Sequence, residues 1–130
     1  MTAVTDVAPA PETLRLTLSW QGELAVLTCR GPLDASAAGL VDNTVDVALS
    51  QRPTGLLFDL GGVESLDTAG LRAVLSAVHR GKQQGCTAAL CSLQPDVAET
   101  LHRLYVDRTV PCYHDMAEAA TEMLLTRSWR

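Results

Sequence analysis

The sequence is 130 residues long, 47% hydrophobic and 19% charged, which suits one folded domain and is too apolar for a disordered chain. A chain of this size buries roughly two-thirds of the surface its unfolded form exposes, so neither disulfides nor a metal are needed for folding. Ten Lys and Arg against 15 Asp and Glu give a net charge of −5, and aromatics are 4%, which argues against direct nucleic-acid binding through phosphates or stacked bases.

Residues 1–12 lack a cationic segment followed by an apolar core, so they do not read as a secretory signal. They show no periodicity and are expected to be a flexible leader before a domain at 13–126, with a short tail at 127–130. No run of about 18 apolar residues occurs, so no membrane insertion is expected. Four cysteines, Cys29, Cys86, Cys91 and Cys112, are scattered without a Cys-x-x-Cys pair. They are expected to be reduced, buried thiols, although spacing alone leaves a redox bridge open.

Leu14, Leu16, Leu18 and Trp20 alternate with polar residues, which predicts a strand with one wet face near a sheet edge. Gln21-Gly22 is a turn signal, and residues 23–30 form a second apolar run that must pair antiparallel with the first. Gly31-Pro32 ends it. Asp34 stands at the N-cap of a helix carrying Ala37, Leu40, Val41, Val45, Ala48 and Leu49 on its apolar stripe. Leu56-Leu57-Phe58 and Leu60 predict a central strand covered on both faces. Leu71, Val74, Leu75 and Val78 mark the clearest helix, with Gly85 as its stop. Gly81 inside that helix reads as a weak point of about 1 kcal/mol.

Residues 86–92 predict a further buried strand. Pro95 opens a helix with Val97, Leu101, Leu104 and Tyr105 on its stripe. A short strand at 110–113 follows. Asp115 and Glu118 then form a capping box for a last helix burying Met116, Ala119, Ala120, Met123 and Leu124. The order β-β-α-β-α-β-α-β-α implies an α/β fold. It is a small mixed sheet with an N-terminal antiparallel hairpin and then parallel strands, packed with about four helices.

Enzyme signatures are missing: no Gly-x-Ser-x-Gly, no phosphate-cradling glycine loop and no Gly-x-Gly-x-x-Gly. His79, His102 and His114 lie on polar positions outside any metal-ligand spacing. No catalytic residue, cofactor site or metal site is assigned, and the chain is expected not to be an enzyme. The informative stretch is residues 56–75, LLFDLGGVESLDTAGLRAVL, in which a buried strand ends and Asp67-Thr68-Ala69-Gly70 opens the clearest helix. A helix start favours negative charge and exposes amides, so a hydroxyl there is a capping group or a phosphoacceptor. From physics alone the cap is the better reading.

Gly31-Pro32-Leu33-Asp34-Ala35, then Phe58-Asp59-Leu60, then Leu66-Asp67-Thr68-Ala69-Gly70-Leu71-Arg72 resemble the STAS domain, in particular bacterial anti-sigma factor antagonists, over roughly residues 14–126. The resemblance implies a cytoplasmic protein-binding switch. It docks its central helix start on an anti-sigma factor, usually an ATP-binding serine kinase, and so releases a sigma factor. The partner-binding residues carried over are Asp34, Asp67, Thr68, Ala69, Gly70, Leu71 and Arg72. The family's phosphoacceptor is the third residue of Asp-Ser-Ser-Gly, and that position is Ala69 here, so phospho-control is altered or absent. Either Thr68, the neighbouring hydroxyl, accepts phosphate instead or the protein is not switched at this site, and the second is favoured because a shift of one helical residue turns a side chain by about 100°. The alternative is a STAS regulatory subunit of a phospholipid-transport ATPase, which needs no acceptor. A monomer or weak dimer is expected.

Overall fold

A computed structural model describes residues 13–128. Its five strands are β1 (Arg15–Gln21), β2 (Leu24–Arg30), β3 (Gly55–Gly62), β4 (Thr87–Cys91) and β5 (Cys112–Tyr113). They form one sheet in the order β1-β2-β3-β4-β5, antiparallel between β1 and β2 and parallel thereafter. The helices are α1 (Ala38–Ser50), α2 (Thr68–Gln83), α3 (Pro95–Arg103) and α4 (Met116–Ser128). The expected fold class is therefore the observed one. The parallel strands advance in one direction across the sheet, and right-handed crossovers then place α1, α2 and α3 on a common face.

That face holds the larger core, where Ala25, Leu27, Leu56, Phe58, Leu60 and Leu90 meet Val41, Val45, Val74, Ala77 and Leu101. The opposite face holds a smaller core of Leu24, Val26, Leu57, Ala89 and Cys91 under Ala119 and Met123 of α4. β3 is covered on both sides, which is why it reads as an unbroken apolar run. Burying a side chain such as Phe58 or Leu57 contributes about 1.5–3 kcal/mol.

Several expected positions differ. Leu40, Leu104, Tyr105, Leu124 and Trp20 were placed on apolar stripes, yet all five are exposed. Trp20 lies at the end of an edge strand, beside Gln51, Arg52 and Pro53, where no helix covers it. Leu40 and Leu124 fall outside the narrow arcs that α1 and α4 turn to the sheet. α3 stops at Arg103 because Tyr105 takes a left-handed backbone (φ 62°), which sends the chain into a 3-10 turn that buries Val106 instead. The Arg108 guanidinium stacks over the Tyr105 ring at 4.6 Å. Asp34 caps a 3-10 turn (Ala35–Ala37) rather than α1 itself. α4 runs to Ser128, into the tail expected at 127–130, and residues 129–130 lie outside the described residues. The leader expected at 1–12 lies outside the described residues.

The ends of α2 and α4 are made as the sequence suggests. Gly85 (φ +84°) follows α2, with Cys86 N–H donating to Gly81 O at 2.9 Å and Gly85 N–H to Lys82 O at 3.0 Å. At α4, Glu118 N–H donates to Asp115 Oδ1 at 2.8 Å, while Glu118 Oε1 accepts from His114 N–H at 2.6 Å. Gly81 is not simply a weak point, because a Cβ there would lie 2.8 Å from Leu56 Cδ1, so its hydrogen lets α2 sit close on β3. Gly81→Ala is therefore expected to miss the gain of about 1 kcal/mol that helix propensity alone offers, leaving Tm at or below the parent value.

Among the described residues the cysteines form no disulfide. Burial, reinforced by Asp59 and Cys91, pushes the Cys29 thiol up to about 12. Burial and Asp107 push Cys112 up to about 11, and burial also raises Cys91. Such thiols hold their protons and are poor nucleophiles. Below the ordinary value of 9.0 both folded and unfolded thiols are neutral, so they make stability no steeper with pH there. Above it the unfolded chain releases protons that buried Cys29 keeps, so stability falls as pH rises toward about 12. Thermal melts across the alkaline range should show this decline, and Cys29→Ala should make it shallower.

Candidate functional site

Two loops leave the same end of the parallel strands and are strapped together before α2 begins. Gly31 N–H donates to Gly62 O at 2.9 Å, Leu33 N–H to Ser65 O at 3.1 Å, and Asp67 N–H to Leu33 O at 3.1 Å. Leu33 and Leu66 form a parallel bridge between the loops. The helix then starts hard against the first loop. A Cβ on Gly70 would lie 1.9 Å from Leu33 O and 2.2 Å from Leu33 C, so only glycine fits.

Each loop carries one capping carboxylate. Asp67 Oδ1 accepts from Gly70 N–H at 2.8 Å and fixes the first turn of α2. Asp34 Oδ1 accepts from Ser36 N–H at 3.0 Å and from Ser36 Oγ–H at 2.6 Å. Such a cap contributes about 1 kcal/mol. The macrodipole of α2 favours the Asp67 charge at this place, and Arg80 and Lys82 complement its far end.

The seven expected site residues divide into two groups. Asp67, Thr68 and Arg72 are exposed, and Asp34 and Ala69 are half-buried. Asp34 and Asp67 stand on the two strapped loops, Thr68 follows Asp67 at the start of α2, and Ala69 and Arg72 line one groove. Ala69 lies in a shallow groove between the two helix starts, with Ala35, Ala38 and Asp42 on one wall and Arg72 and Ala73 on the other. Gly70 and Leu71 are buried instead, Gly70 against the Leu33 backbone and Leu71 in the larger core. They shape the tip from beneath. Sequence reasoning did not assign Leu33, Ser65 and Leu66 to the site, although they hold the two loops in register. A signal was present in the Gly-Pro-Leu-Asp and Ser-Leu-Asp segments, but only the fold sets them side by side.

A depression lies at the opposite end of α1 and α2, lined by Asp46, Arg52, Arg80, Gln83 and Cys86 among others. Arg80 bonds Asp46 there and approaches Asp42 at 3.5 Å, tying the two helices together. Cys86 is buried there, and its Sγ donates to Pro53 O at 3.2 Å. His102 Nδ1 lies 2.9 Å from Asp107 on the exposed side of the α3 turn. Among the described residues no three His, Cys, Asp or Glu side chains gather as a metal site.

Glycine replacements separate the strapped tip from ordinary helix propensity. Gly70→Ala is expected to lower stability by about 2 kcal/mol or more, because the added methyl group drives α2 off the Leu33 carbonyl. Gly39→Ala, in α1 with nothing within 4 Å of the new Cβ, should raise stability by about 0.5–1 kcal/mol. Urea unfolding of the two variants checks both signs.

Comparison with known proteins agrees with this architecture. The anti-sigma-F factor antagonist RsfB of Mycobacterium tuberculosis is 24% identical over 112 residues, covering 86% of this chain and 91% of RsfB. The crystal structure of an anti-sigma factor antagonist from Mycobacterium paratuberculosis superimposes with a TM-score of 0.78 at 22% identity, over 89% of this chain and 98% of that one. A sulfate transporter family protein from Wolinella succinogenes has the same fold with a TM-score of 0.73 at 15% identity, over 81% of this chain and 88% of its own. The STAS domain model matches residues 16–119, which include β2, α1, β3 and the whole of the strapped tip. With its sheet order, its clamped helix start and this match in accord, the chain belongs to the STAS domain family.

Proposed function

We propose that this protein is an anti-sigma factor antagonist that works by binding rather than by catalysis. The docking surface is the strapped tip, formed by Asp34, Asp67, Thr68, Ala69 and Arg72. The observation that carries the reading is the exposure of Asp67 and Thr68 on a helix start that Gly70 and Leu33 hold rigid. A surface fixed in advance loses little entropy when a partner settles on it. The relative named an anti-sigma-F factor antagonist supports the same role. The partner is an anti-sigma factor of the ATP-binding serine kinase type, and docking frees the sigma factor in the cytoplasm of a bacterium. Among the described residues no helix is long and apolar enough to cross a membrane.

Phosphorylation at position 69 is chemically closed, because alanine has no hydroxyl. Thr68 is exposed one residue earlier, beside the capping Asp67. A phosphate there would add about −1.5 to −2 charges next to that carboxylate and would oppose docking on an acidic surface. We take the tip to be unswitched at Ala69, with Thr68 as a contact residue. A regulatory subunit of a phospholipid-transport ATPase would equally need no acceptor at Ala69, and that is the second reading.

Calorimetry against the ATP-binding anti-sigma kinases of the same genome tests the proposal. One of them should bind, and Thr68→Glu should weaken that binding at least tenfold, about 1.4 kcal/mol, while Glu122→Gln on α4 leaves it unchanged. Absence of binding to every candidate would remove the reading. Capture of a transporter ATPase from the native cell in their place would move it to the second. Incubation with the bound kinase and Mg-ATP should leave the intact mass unchanged, and a phosphate found on Thr68 would overturn the unswitched tip.

A further inference from the structure

β1 is the outer strand on one side of the sheet, and among the described residues no strand pairs with its outer edge. Edge strands are normally blunted by proline, by lysine, by a bulge or by shortness. β1 runs for seven residues, Arg15–Gln21, contains no Pro or Lys, and pairs with β2 in unbroken register. Its Leu16 and Leu18 are half-buried on the face that carries α1. Trp20, on the same face, is 41% exposed.

The helix above this edge is left apolar on the same side. In α1, Ala38 and Asp42 line the groove toward α2, and Asp42 and Asp46 meet Arg80. Val41, Val45 and Ala48 are fully buried toward the sheet. At about 100° per residue, Leu40, Thr44 and Val47 then occupy the flank turned away from α2. α1 contacts β1 whereas α2 contacts β3 and β4, so that flank overhangs the free edge. Leu40 is 40% exposed and Val47 57% exposed. Among the described residues, three of the seven large exposed hydrophobics therefore lie along this edge.

We infer that a second copy of this chain occupies that edge, pairing β1 with β1 antiparallel about a two-fold axis through Leu18. The sequence of β1 complements itself in that register. Arg15 faces Gln21 of the second copy, Leu16 faces Trp20, Thr17 faces Ser19, and Leu18 faces Leu18. Apolar pairs fall on the helix-covered face and polar pairs on the other. A slip of one residue would set every apolar side chain against a polar one. Within one chain Arg15 already stands directly opposite Arg30, a like-charge pair, and neither is in an ion pair among the described residues. The two-fold register brings Gln21 and the neighbouring Glu23 of the second copy toward Arg15. The two α1 flanks then cover the junction, with Leu40 and Val47 of each copy above the joined strands. The contact is isologous and closes at two copies, since among the described residues each chain offers one such edge. It leaves the strapped tip of each copy unused.

Sedimentation equilibrium of the full chain from low to high micromolar concentration tests this. The mass should rise toward twice the 13.9 kDa of the monomer. The double variant Leu40→Glu, Val47→Glu changes only exposed positions and should stay monomeric with an unaltered circular dichroism spectrum and folded-state melt. Hydrogen exchange of the parent chain should show protection at Thr17 to Ser19 that grows with concentration. A parent chain that stays monomeric throughout overturns the inference. So does a dimer that survives the double variant, or concentration-dependent protection that appears elsewhere and not in β1.

Discussion

The structure depends on one short contact, the approach of α2 to the carbonyl of Leu33. Strands β2 and β3 are neighbours, so the loops that leave them emerge side by side, and each must find partners for its backbone groups. They find them in each other, through Leu33, Ser65 and Asp67. Gly70 is what lets the helix complete this arrangement, because any side chain would occupy the place of the Leu33 carbonyl. The Asp67 cap, the direction of α2 and the exposure of Thr68 all follow from that closeness. The tip is thus a property of two distant segments, strapped together by backbone hydrogen bonds and capped by the carboxylates of Asp34 and Asp67.

The two faces of the sheet are covered unequally. Three crossover helices fill one face, while among the described residues the other carries only α4, which reaches β3, β4 and β5. The consequence is a hairpin, β1 and β2, that is apolar on one side and largely polar on the other toward its open edge. Arg15, Thr17 and Ser19 lie on that side, where Gln21 reaches Met116 Sδ of α4 at 4.0 Å. Coverage also explains the chemistry of the thiols. Cys29 sits in the larger core, and Cys91 lies in the smaller one beneath α4. Both are raised by desolvation first and by Asp59 second, which is the environment of structural cysteines and not of redox sensors.

Periodic and punctuating residues were legible in the sequence. The unbroken apolar run at Leu56, Leu57 and Phe58 announced a strand buried on both faces, and the spacing of Leu71, Val74 and Val78 announced α2. Gly85 and the Asp115–Glu118 pair announced helix ends, since these motifs act within a few residues of themselves. The candidate site was legible in its two halves, Asp34 and Asp67–Arg72. Misplaced residues were those at the margin of a stripe. Leu40, Leu104, Tyr105, Leu124 and Trp20 have the hydrophobicity of core residues, but each lies just beyond the arc or the strand length that a neighbouring element covers.

By itself the sequence determined the order of elements, the antiparallel start of the sheet, the central strand and the helix that carries the tip. These are set by local periodicity, by short connections and by the fixed handedness of crossovers. Only the tertiary structure decided that Gly70 and Leu71 face inward while Asp67 and Thr68 face outward, and that Gly81 is a contact rather than a flaw. Only it decided, too, that Leu33 belongs to the same site as Asp67. The physical reason is the same in each case. Burial and close approach depend on what a distant segment brings to the other side of a residue, and no periodicity along a single chain encodes that distance.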